Sequence, residues 1–265
     1  DGPYRDKKAY DLLIQSESGF LSVTGTPDSP SKAGCSIADI AAGMYAYTNI
    51  LSALIQRQKT NKGCNIDVSM LESMVEWMNY PMYYAYEGAQ PPIRAGAAHA
   101  TIYPYGPFNA GDGKSVMLGL QNEREWASFC AIVLRASELA TDERFKSNSD
   151  RVANRNELKS IIDHAFSKLT AEQVVELLEE AQIANAHVND MHDVWNHPQL
   201  KARDRWVSVG TSEGAIPALL PPGRTNAFKP RMDAVPGLGQ HSASILAELG
   251  FSDDRIQKMR QAKAI

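Results

Sequence analysis

The sequence of 265 residues has few cysteines, no strong excess of one charge and no long apolar run, and each shortage excludes a class of protein. Its three cysteines, Cys35, Cys64 and Cys130, are too sparse and too widely spaced for a disulfide framework or a metal cluster. We therefore expect a reducing, cytoplasmic environment and no metal. The net charge of −4 argues against a nucleic-acid partner. No apolar stretch approaches the roughly 20 residues of a membrane-spanning helix, so we expect no membrane partner.

Common motifs of nucleotide-binding and hydrolytic enzymes are also missing. The sequence has no phosphate-binding loop ending in Lys-Ser or Lys-Thr, no dinucleotide-binding glycine fingerprint and no Gly-x-Ser-x-Gly nucleophile elbow. The chain does not begin with Met, and Asp1-Gly2-Pro3 is typical of a turn inside a longer chain. We therefore expect a segment upstream of this sequence.

The pattern of apolar residues predicts an α/β protein. A Gly-, Ser- and Pro-rich loop over 16–34 precedes a helix over 37–59 that is apolar on nearly all faces, which is typical of a buried helix. A strand over 64–70 and a second helix over 71–86 follow. The Met and aromatic side chains of the second helix favour a core or a subunit interface over a cofactor site.

Shorter elements are expected after residue 95. Thr170-Ala-Glu-Gln has the pattern of a capping box, which marks the start of a helix. The other predicted elements are a hairpin turn at 111–113, a strand over 115–120, a helix over about 123–134, a short strand at 186–188, two strands between 206 and 219 joined at Glu213-Gly214, a helix over about 242–249 and a final helix from Asp253.

Asp39 is the first candidate for chemistry, because it stands at the start of the predicted apolar helix, directly after the flexible loop. The unpaired amides and the positive dipole end of a helix start stabilise a carboxylate. One interpretation is structural: the acid caps or stabilises the first turn. The other is a carboxylate nucleophile that carries an acyl group covalently, with helix-start amides stabilising the developing oxyanion.

Several polar side chains near loops are candidates for binding. Lys8 and Tyr10 flank the start of a short apolar segment; they are either a solvated lysine beside a half-buried tyrosine, or contacts for a phosphate and for a polar or stacked group. His99 either is a hydrogen-bonded loop residue or lines a cleft, and with Arg94 it is a candidate partner for substrate carboxylates. His241 precedes the tail helix, where capping is the simpler interpretation.

Short motifs follow one another in a specific order along the chain. They include Asp1-Gly-Pro-Tyr, Ala9-Tyr-Asp-Leu, Ile37-Ala-Asp39-Ile-Ala-Ala-Gly43, Gly63-x-x-Ile-Asp-Val-Ser-Met-Leu-Glu72, Pro104-Tyr-Gly-x-Phe, His197-Pro198-Gln-Leu and Leu238-Gly-Gln-His. Each piece alone is weak, but the ordered series resembles the class III CoA-transferases. That family includes formyl-CoA transferase, carnitine CoA-transferase and alpha-methylacyl-CoA racemase.

The resemblance implies a mechanism. Asp39 falls on the family's catalytic aspartate, which attacks an acyl-CoA thioester and forms a mixed anhydride; CoA thiolate converts this to an aspartyl-CoA thioester, which passes CoA to a second carboxylic acid. Lys8 and Tyr10 fall on positions that contact CoA. Because the racemase branch has His where this chain has Tyr10, we expect transfer rather than racemisation. An acyl-CoA racemase or epimerase, and a truncated fragment that only folds and dimerises, remain the alternatives.

The resemblance also implies an interlocked homodimer with a Rossmann-like parallel-sheet large domain and a small α+β domain. We expect 1–70 and 223–265 to belong to the large domain, 71–94 to form a linker helix and 95–222 to form the small domain. Two departures are visible: the family's N-terminal segment has no counterpart here, and Gly96-Ala-Ala-His replaces the glycine loop of formyl-CoA transferase. The second departure argues against oxalate and formyl-CoA, and Arg94 with His99 favours a small dicarboxylate.

Overall fold

A computed structural model describes residues 2–265, which form two compact units, one ending at Val188 and the other running from Asn189 to Ile265. The turn predicted at the first three residues begins at Asp1, outside the described residues. The helices of the first unit are α1 (Asp11–Glu17), α2 (Phe20–Val23), α3 (Ile37–Thr60), α4 (Met70–Trp77), α5 (Asn79–Tyr84), α6 (Glu123–Ser128), α7 (Asn148–Ala153), α8 (Arg155–Phe166) and α9 (Ala171–Glu180). Its strands are β1 (Gly25–Thr26), β2 (Ser29–Pro30), β3 (Tyr105–Asn109), β4 (Ser115–Gly119) and β5 (Ala184–His187).

The larger hydrophobic core of this unit lies between an antiparallel sheet, in the order β3-β4-β5, and helices α6, α8 and α9. A turn at Gly111 and Gly113 joins β3 to β4, as predicted. Gly111 admits no side chain, because a Cβ there would stand 2.3 Å from the carbonyl oxygen of Ser167. The capping box at Thr170 is confirmed. The helix predicted over 123–134 continues beyond α6 as a π-helix, Phe129–Val133.

A smaller core joins α1, α3 and α4 through Ile14, Ala38, Ala41 and Met74. Helix α3 was expected to be buried on nearly all faces, and this prediction was wrong for the described chain. Its buried residues are Ala38 and Ala41, whereas seven larger apolar side chains are exposed: Ile40, Met44, Tyr47, Ile50, Leu51, Leu54 and Ile55. The reason is geometric, since α1 and α4 cover a single face of a 24-residue helix.

Two further predictions next to α3 need correction. The strand predicted over 64–70 does not form; Ser69 instead accepts a hydrogen bond from the Glu72 amide (3.3 Å) and starts α4 at Met70. The single helix predicted over 71–86 is divided into α4 and α5. Pro81 has no amide hydrogen to complete the helical hydrogen bond across that junction.

The second unit contains the antiparallel hairpin of β6 (Trp206–Thr211) and β7 (Gly214–Leu219), as predicted. Its helices are α10 (Met191–Trp195), α11 (Pro198–Ala202), α12 (Ser242–Glu248) and α13 (Asp253–Gln261). His241 occupies the N-cap position of α12, but its side chain makes no capping hydrogen bond, so the predicted capping role was wrong. The described sheets are all antiparallel. The chain is a mixed α/β protein, and the parallel-sheet domain and the three domain boundaries stay predictions.

Candidate active site

Asp39 is the third residue of α3, and its side chain is exposed to solvent. No residue of the described chain forms a hydrogen bond or ion pair with its carboxylate, and Ser36 at the N-cap makes no side-chain capping bond. The structural interpretation of Asp39 as a cap is therefore not realised. The carboxylate is open to a reactant from solvent and lies at the positive end of a long helix dipole.

The cap of α3 comes from another helix. The Asp11 Oδ1 atom accepts a hydrogen bond from the Ala38 amide at 2.9 Å. The Asp11 Oδ2 atom accepts one from Gln15 Nε2 at 2.8 Å, and Gln15 Oε1 accepts one from the Ala33 amide at 2.9 Å. Sequence reasoning missed Asp11 and Gln15 as site residues. The available signal was their spacing of four on a short helix, which puts two polar side chains on the face of α1 that carries no exposed leucine.

Few of the first-turn amides of α3 are left to stabilise a negatively charged oxygen. The Ile37 amide donates to the Cys35 carbonyl (2.8 Å), the Ile40 amide to the Ser36 carbonyl (3.0 Å), and the Ala38 amide to Asp11. The Asp39 amide has no acceptor among residues 2–265. Of the amides at Ile37, Ala38, Asp39 and Ile40, the one still available to donate to an oxyanion is therefore that of Asp39, the candidate nucleophile.

Lys8 lines a cavity of about 370 Å³ in the first unit. Its lining combines basic and apolar side chains with one acid, Glu17; it includes Tyr4, Arg5, Lys7, Lys8, Leu13, Ile14, Met70 and Leu71. Lys7 is held by an ion pair with Glu17, and that hydrogen bond raises the pKa of Lys7. Lys8 is exposed and forms no hydrogen bond or ion pair with another described residue. A phosphate and an apolar chain are the chemical groups that suit such a cavity.

Tyr10 does not line this cavity; it is the exposed N-cap residue of α1. The next residue, Asp11, bonds to the amide of the residue before Asp39. One hydrogen bond therefore joins the backbone segments that carry Tyr10 and Asp39.

Arg94 and His99 have contacts of their own in the loop before β3. Arg94 donates from Nε to the Thr26 carbonyl (2.9 Å) and from Nη2 to the Pro27 carbonyl (2.8 Å), which fixes the loop to the β1–β2 hairpin. The His99 ring stacks on Tyr105, with 5.2 Å between ring centroids, and its Nδ1 accepts the Ile102 amide at 3.1 Å. In the neutral ring the proton consequently belongs on Nε2.

The strongest pKa shifts lie at other groups. Burial raises the pKa of the Cys130 thiol to about 12, which makes this cysteine unreactive. A hydrogen bond from Arg144 lowers the pKa of Asp142 to about 2. Within the part of the chain that the structure describes, no cluster of three metal-ligating side chains occurs and no helix has the length and apolarity that a bilayer crossing needs.

Comparison with known proteins gives consistent matches. The sequence profile of CoA-transferase family III matches residues 1–242. The chain is 34% identical over 252 residues to the succinate–glutarate CoA-transferase of Agrobacterium fabrum, with 94% of this chain and 62% of that protein covered. It is 32% identical to the acetyl-CoA:oxalate CoA-transferase of Acetobacter aceti over 79% of this chain and 54% of that one. A crystal structure of a CAIB/BAIF family protein from Brucella suis superposes with a TM-score of 0.80 at 34% identity, over 94% of this chain and 65% of the other.

Proposed function

Because this chain belongs to CoA-transferase family III, we propose that it moves CoA from an acyl-CoA to a carboxylic acid, with Asp39 as the nucleophile that carries the acyl group. The observation that carries the proposal is the solvent-exposed, unpaired carboxylate of Asp39 in the first turn of α3. The chain spans 62% of the length of the Agrobacterium relative.

The proposed reaction conserves atoms and charge through four displacements. The Asp39 carboxylate attacks the thioester carbon and expels CoA thiolate, which leaves a mixed anhydride. The thiolate then attacks the aspartyl carbonyl, releases the donor acid and forms an aspartyl-CoA thioester. The acceptor carboxylate displaces CoA from that thioester, and the thiolate attacks the acceptor's acyl carbon to give the new acyl-CoA and free Asp39. Splitting one transfer into such steps lowers the barrier of each.

The amide of Asp39 supports two of these steps. In the second and third displacements the negative charge develops on the aspartyl carbonyl oxygen, close to the backbone of the same residue. A fixed donor at such an oxygen stabilises the transition state by several kcal/mol, about 2.7–4 kcal/mol in a well-studied case. The Asp39 amide has no other acceptor in the described chain, which fits this role.

CoA binding is proposed for the cavity beside α1. The exposed ammonium of Lys8 offers a phosphate contact, and Leu13, Met70 and Leu71 offer apolar surface to a pantetheine chain. Tyr10 is proposed as a polar or stacking contact between this cavity and the nucleophile, since its neighbour Asp11 bonds to the start of α3.

The acceptor is proposed to be a small dicarboxylate. The relatives are named for succinate, glutarate and oxalate, all of which carry two carboxylates. Arg94 keeps N–H groups beyond the two that it donates to the hairpin, and His99 has its Nε2–H. Both are proposed as contacts for the carboxylate that does not react. Oxalate, which the missing glycine loop argues against, belongs in the test because a relative is named for it.

The exposed apolar faces of α3 and α5 support the homodimer that the family resemblance implies. Among their exposed side chains are Ile50, Leu51, Leu54, Tyr80 and Tyr83. Many large apolar side chains exposed on neighbouring turns of one helix, as on α3, are typical of an interaction site. We propose that a second copy of the chain covers it.

The kinetic test is transfer of CoA from succinyl-CoA to glutarate, oxalate and a monocarboxylate control. We expect Asp39→Ala and Asp39→Asn each to lower kcat by at least about 10³-fold, as loss of a covalent nucleophile does. Asp254→Ala is the matched control, because Asp254 is also an exposed acid in the first turn of a helix, α13. Full activity in either Asp39 variant would show that Asp39 is not the nucleophile. Transfer to the monocarboxylate alone would show that the acceptor is not a dicarboxylate.

A further inference from the structure

A hydrogen-bonded bridge of two side chains fixes the segment that leads into α3. Asp11 Oδ1 bonds to the Ala38 amide, Asp11 Oδ2 to Gln15 Nε2, and Gln15 Oε1 to the Ala33 amide. We propose that Asp11 and Gln15 are positioning residues for Asp39, which rests on the proposed function. Neither side chain needs to touch the reactants for this role.

The bridge holds the segment at both ends. Its two backbone contacts are at Ala33, inside the loop, and at Ala38, immediately before Asp39. The loop between them contains Gly34, which by itself gives the backbone freedom. Because both amides are bound to side chains of α1, the position and orientation of the first turn of α3 are set by α1 rather than by the loop.

Burial makes the bridge specific. Gln15 is fully buried, with 0% of its surface exposed, as is Ala38. Inside a core, the two ends of a glutamine amide must each meet the right partner, since an unpaired buried polar group costs about 1–3 kcal/mol. Gln15 therefore holds the Asp11 carboxylate in one orientation by donating to Oδ2, which leaves Oδ1 for Ala38.

The apolar packing of α1 and α3 adds rigidity but not direction. Ile14 packs with Ala38 and Ala41 in the smaller core. The small side chains of the two alanines allow α1 and α3 to slide along each other at little cost. The directional contacts are the three hydrogen bonds. An error of about 1 Å in the placement of a reacting group lowers the rate by up to about 100-fold, so the bridge matters more for kcat than for folding.

The first variant removes the bridge. We expect Asp11→Ala to lower kcat by about 10- to 100-fold, with a smaller change in KM for the acyl-CoA. Asp112→Ala is the matched control: the exposed Asp112 accepts, at Oδ2, a hydrogen bond from the Ala171 amide at 3.2 Å and so caps α9, a helix that packs in the other hydrophobic core. It should lower thermal stability without lowering kcat by more than about twofold.

The second variant exchanges the carboxylate of Asp11 and the amide of Gln15 between the two positions. Asp11→Asn alone sets the new amide NH₂ against Gln15 Nε2, donor against donor. Adding Gln15→Glu restores an acceptor there, keeps an acceptor for the Ala33 amide, and preserves the net charge. We expect the kcat of the double variant to be at least about tenfold higher than that of Asp11→Asn alone. A merely structural acid at position 11 predicts no such recovery.

Hydrogen exchange separates this inference from the proposed function. Peptides covering 31–40 should exchange faster in Asp11→Ala than in the wild type or in Asp112→Ala, whether or not Asp39 is the nucleophile. Unchanged exchange in those peptides, or an Asp11→Ala enzyme with kcat within twofold of the wild type, overturns the inference. If instead Asp39→Ala keeps full activity, the proposed function fails, while the exchange result still decides whether the bridge positions the segment.

Discussion

At the scale of single residues, one chemical group serves different ends at helix starts in this chain. Asp39 is in the first turn of α3 and leaves its carboxylate exposed, whereas Asp11 and Asp112 reach from other segments to cap first-turn amides. A carboxylate that caps has its lone pairs engaged by amides, and one that does not cap can act on a thioester. The difference between them is hydrogen bonding, not residue type.

Lys8 is the residue whose exposure gives the clearest binding prediction. We expect Lys8→Ala to raise KM for the acyl-CoA about three- to tenfold and to leave kcat nearly unchanged, because one phosphate contact is worth about 0.5–1.5 kcal/mol. Steady-state kinetics at low and high salt measure this, and high salt should narrow the gap between variant and wild type. Lys62→Ala is the control, since Lys62 is an exposed lysine of the same unit outside the cavity. Equal KM values for Lys8→Ala and the wild type at low salt would take Lys8 out of the CoA site.

The position of Asp39 in the sequence left its role open between a cap and a nucleophile, and its role as the nucleophile, which the family resemblance implies, stays a prediction. The missing information was non-local: the true cap, Asp11, stands 27 residues before Ala38 and belongs to another helix. The sequence likewise named Arg94 as a partner for substrate carboxylates but gave no sign of its hydrogen bonds to carbonyls 67 and 68 residues earlier. Patterns of neighbouring residues do not contain contacts of that range.

At the scale of elements, α9 offers a prediction about pH. The Ala171 amide is the main cause that lowers the pKa of Asp112 in the folded state. Because the folded pKa lies below the unfolded value of about 3.9, the stabilisation by Asp112 is complete above that value and is lost as pH falls through the folded pKa. We expect Asp112→Ala to melt below the wild type at pH 7, and this gap to shrink steadily below pH 4.

Thermal melts followed by circular dichroism at pH 7 and at decreasing acidic pH values check this. A gap that stays constant into strong acid would mean that the Asp112 carboxylate is not the group that stabilises α9. Thr170→Ala serves as the comparison, because Thr170 is the N-cap residue of the same helix and its capping hydroxyl does not titrate in this range. Its melting gap should therefore stay level over the same pH values.

Elements with local signals were predicted well, and those that depend on distant partners were not. The capping box at Thr170 and the hairpin turn at Gly111 and Gly113 are each specified by a few adjacent residues, and both are confirmed. The strand expected over 64–70 needs a neighbouring strand, which the described chain does not provide there. The helix expected over 71–86 contains Pro81, a residue that interrupts helices, but the prediction gave more weight to the apolar pattern.

At the scale of the whole molecule, the exposed apolar side chains of α3 predict self-association. Ile50 and Leu54 are one turn apart on the same face and are 49% and 38% exposed. We expect the wild-type protein to have the mass of two chains by light scattering, and Ile50→Asp with Leu54→Asp to shift it to one chain, because charges are excluded from an apolar interface. Ile93→Asp, at a residue 65% exposed in the loop before β3, is the control and should stay dimeric. A wild-type mass of one chain would contradict the homodimer.

The family of the chain followed from its ordered motifs, and the homodimer that the family resemblance implies stays a prediction. A motif such as Ile37-Ala-Asp39 identifies a position within a family, and the profile match over residues 1–242 confirms the family. The exposed face of α3 looks like a buried helix in sequence because apolar residues have the same pattern whether the covering surface belongs to the same chain or to another.

Peptide mass spectrometry after incubation with succinyl-CoA, at acidic quench, tests directly whether Asp39 is the covalent nucleophile. We expect a covalent adduct, either the acyl group or CoA, on the peptide that contains Asp39; it should be absent from Asp39→Asn and should be converted to a hydroxamate by hydroxylamine. An adduct on a different carboxylate, or active turnover with no adduct on that peptide at any quench time, would contradict it.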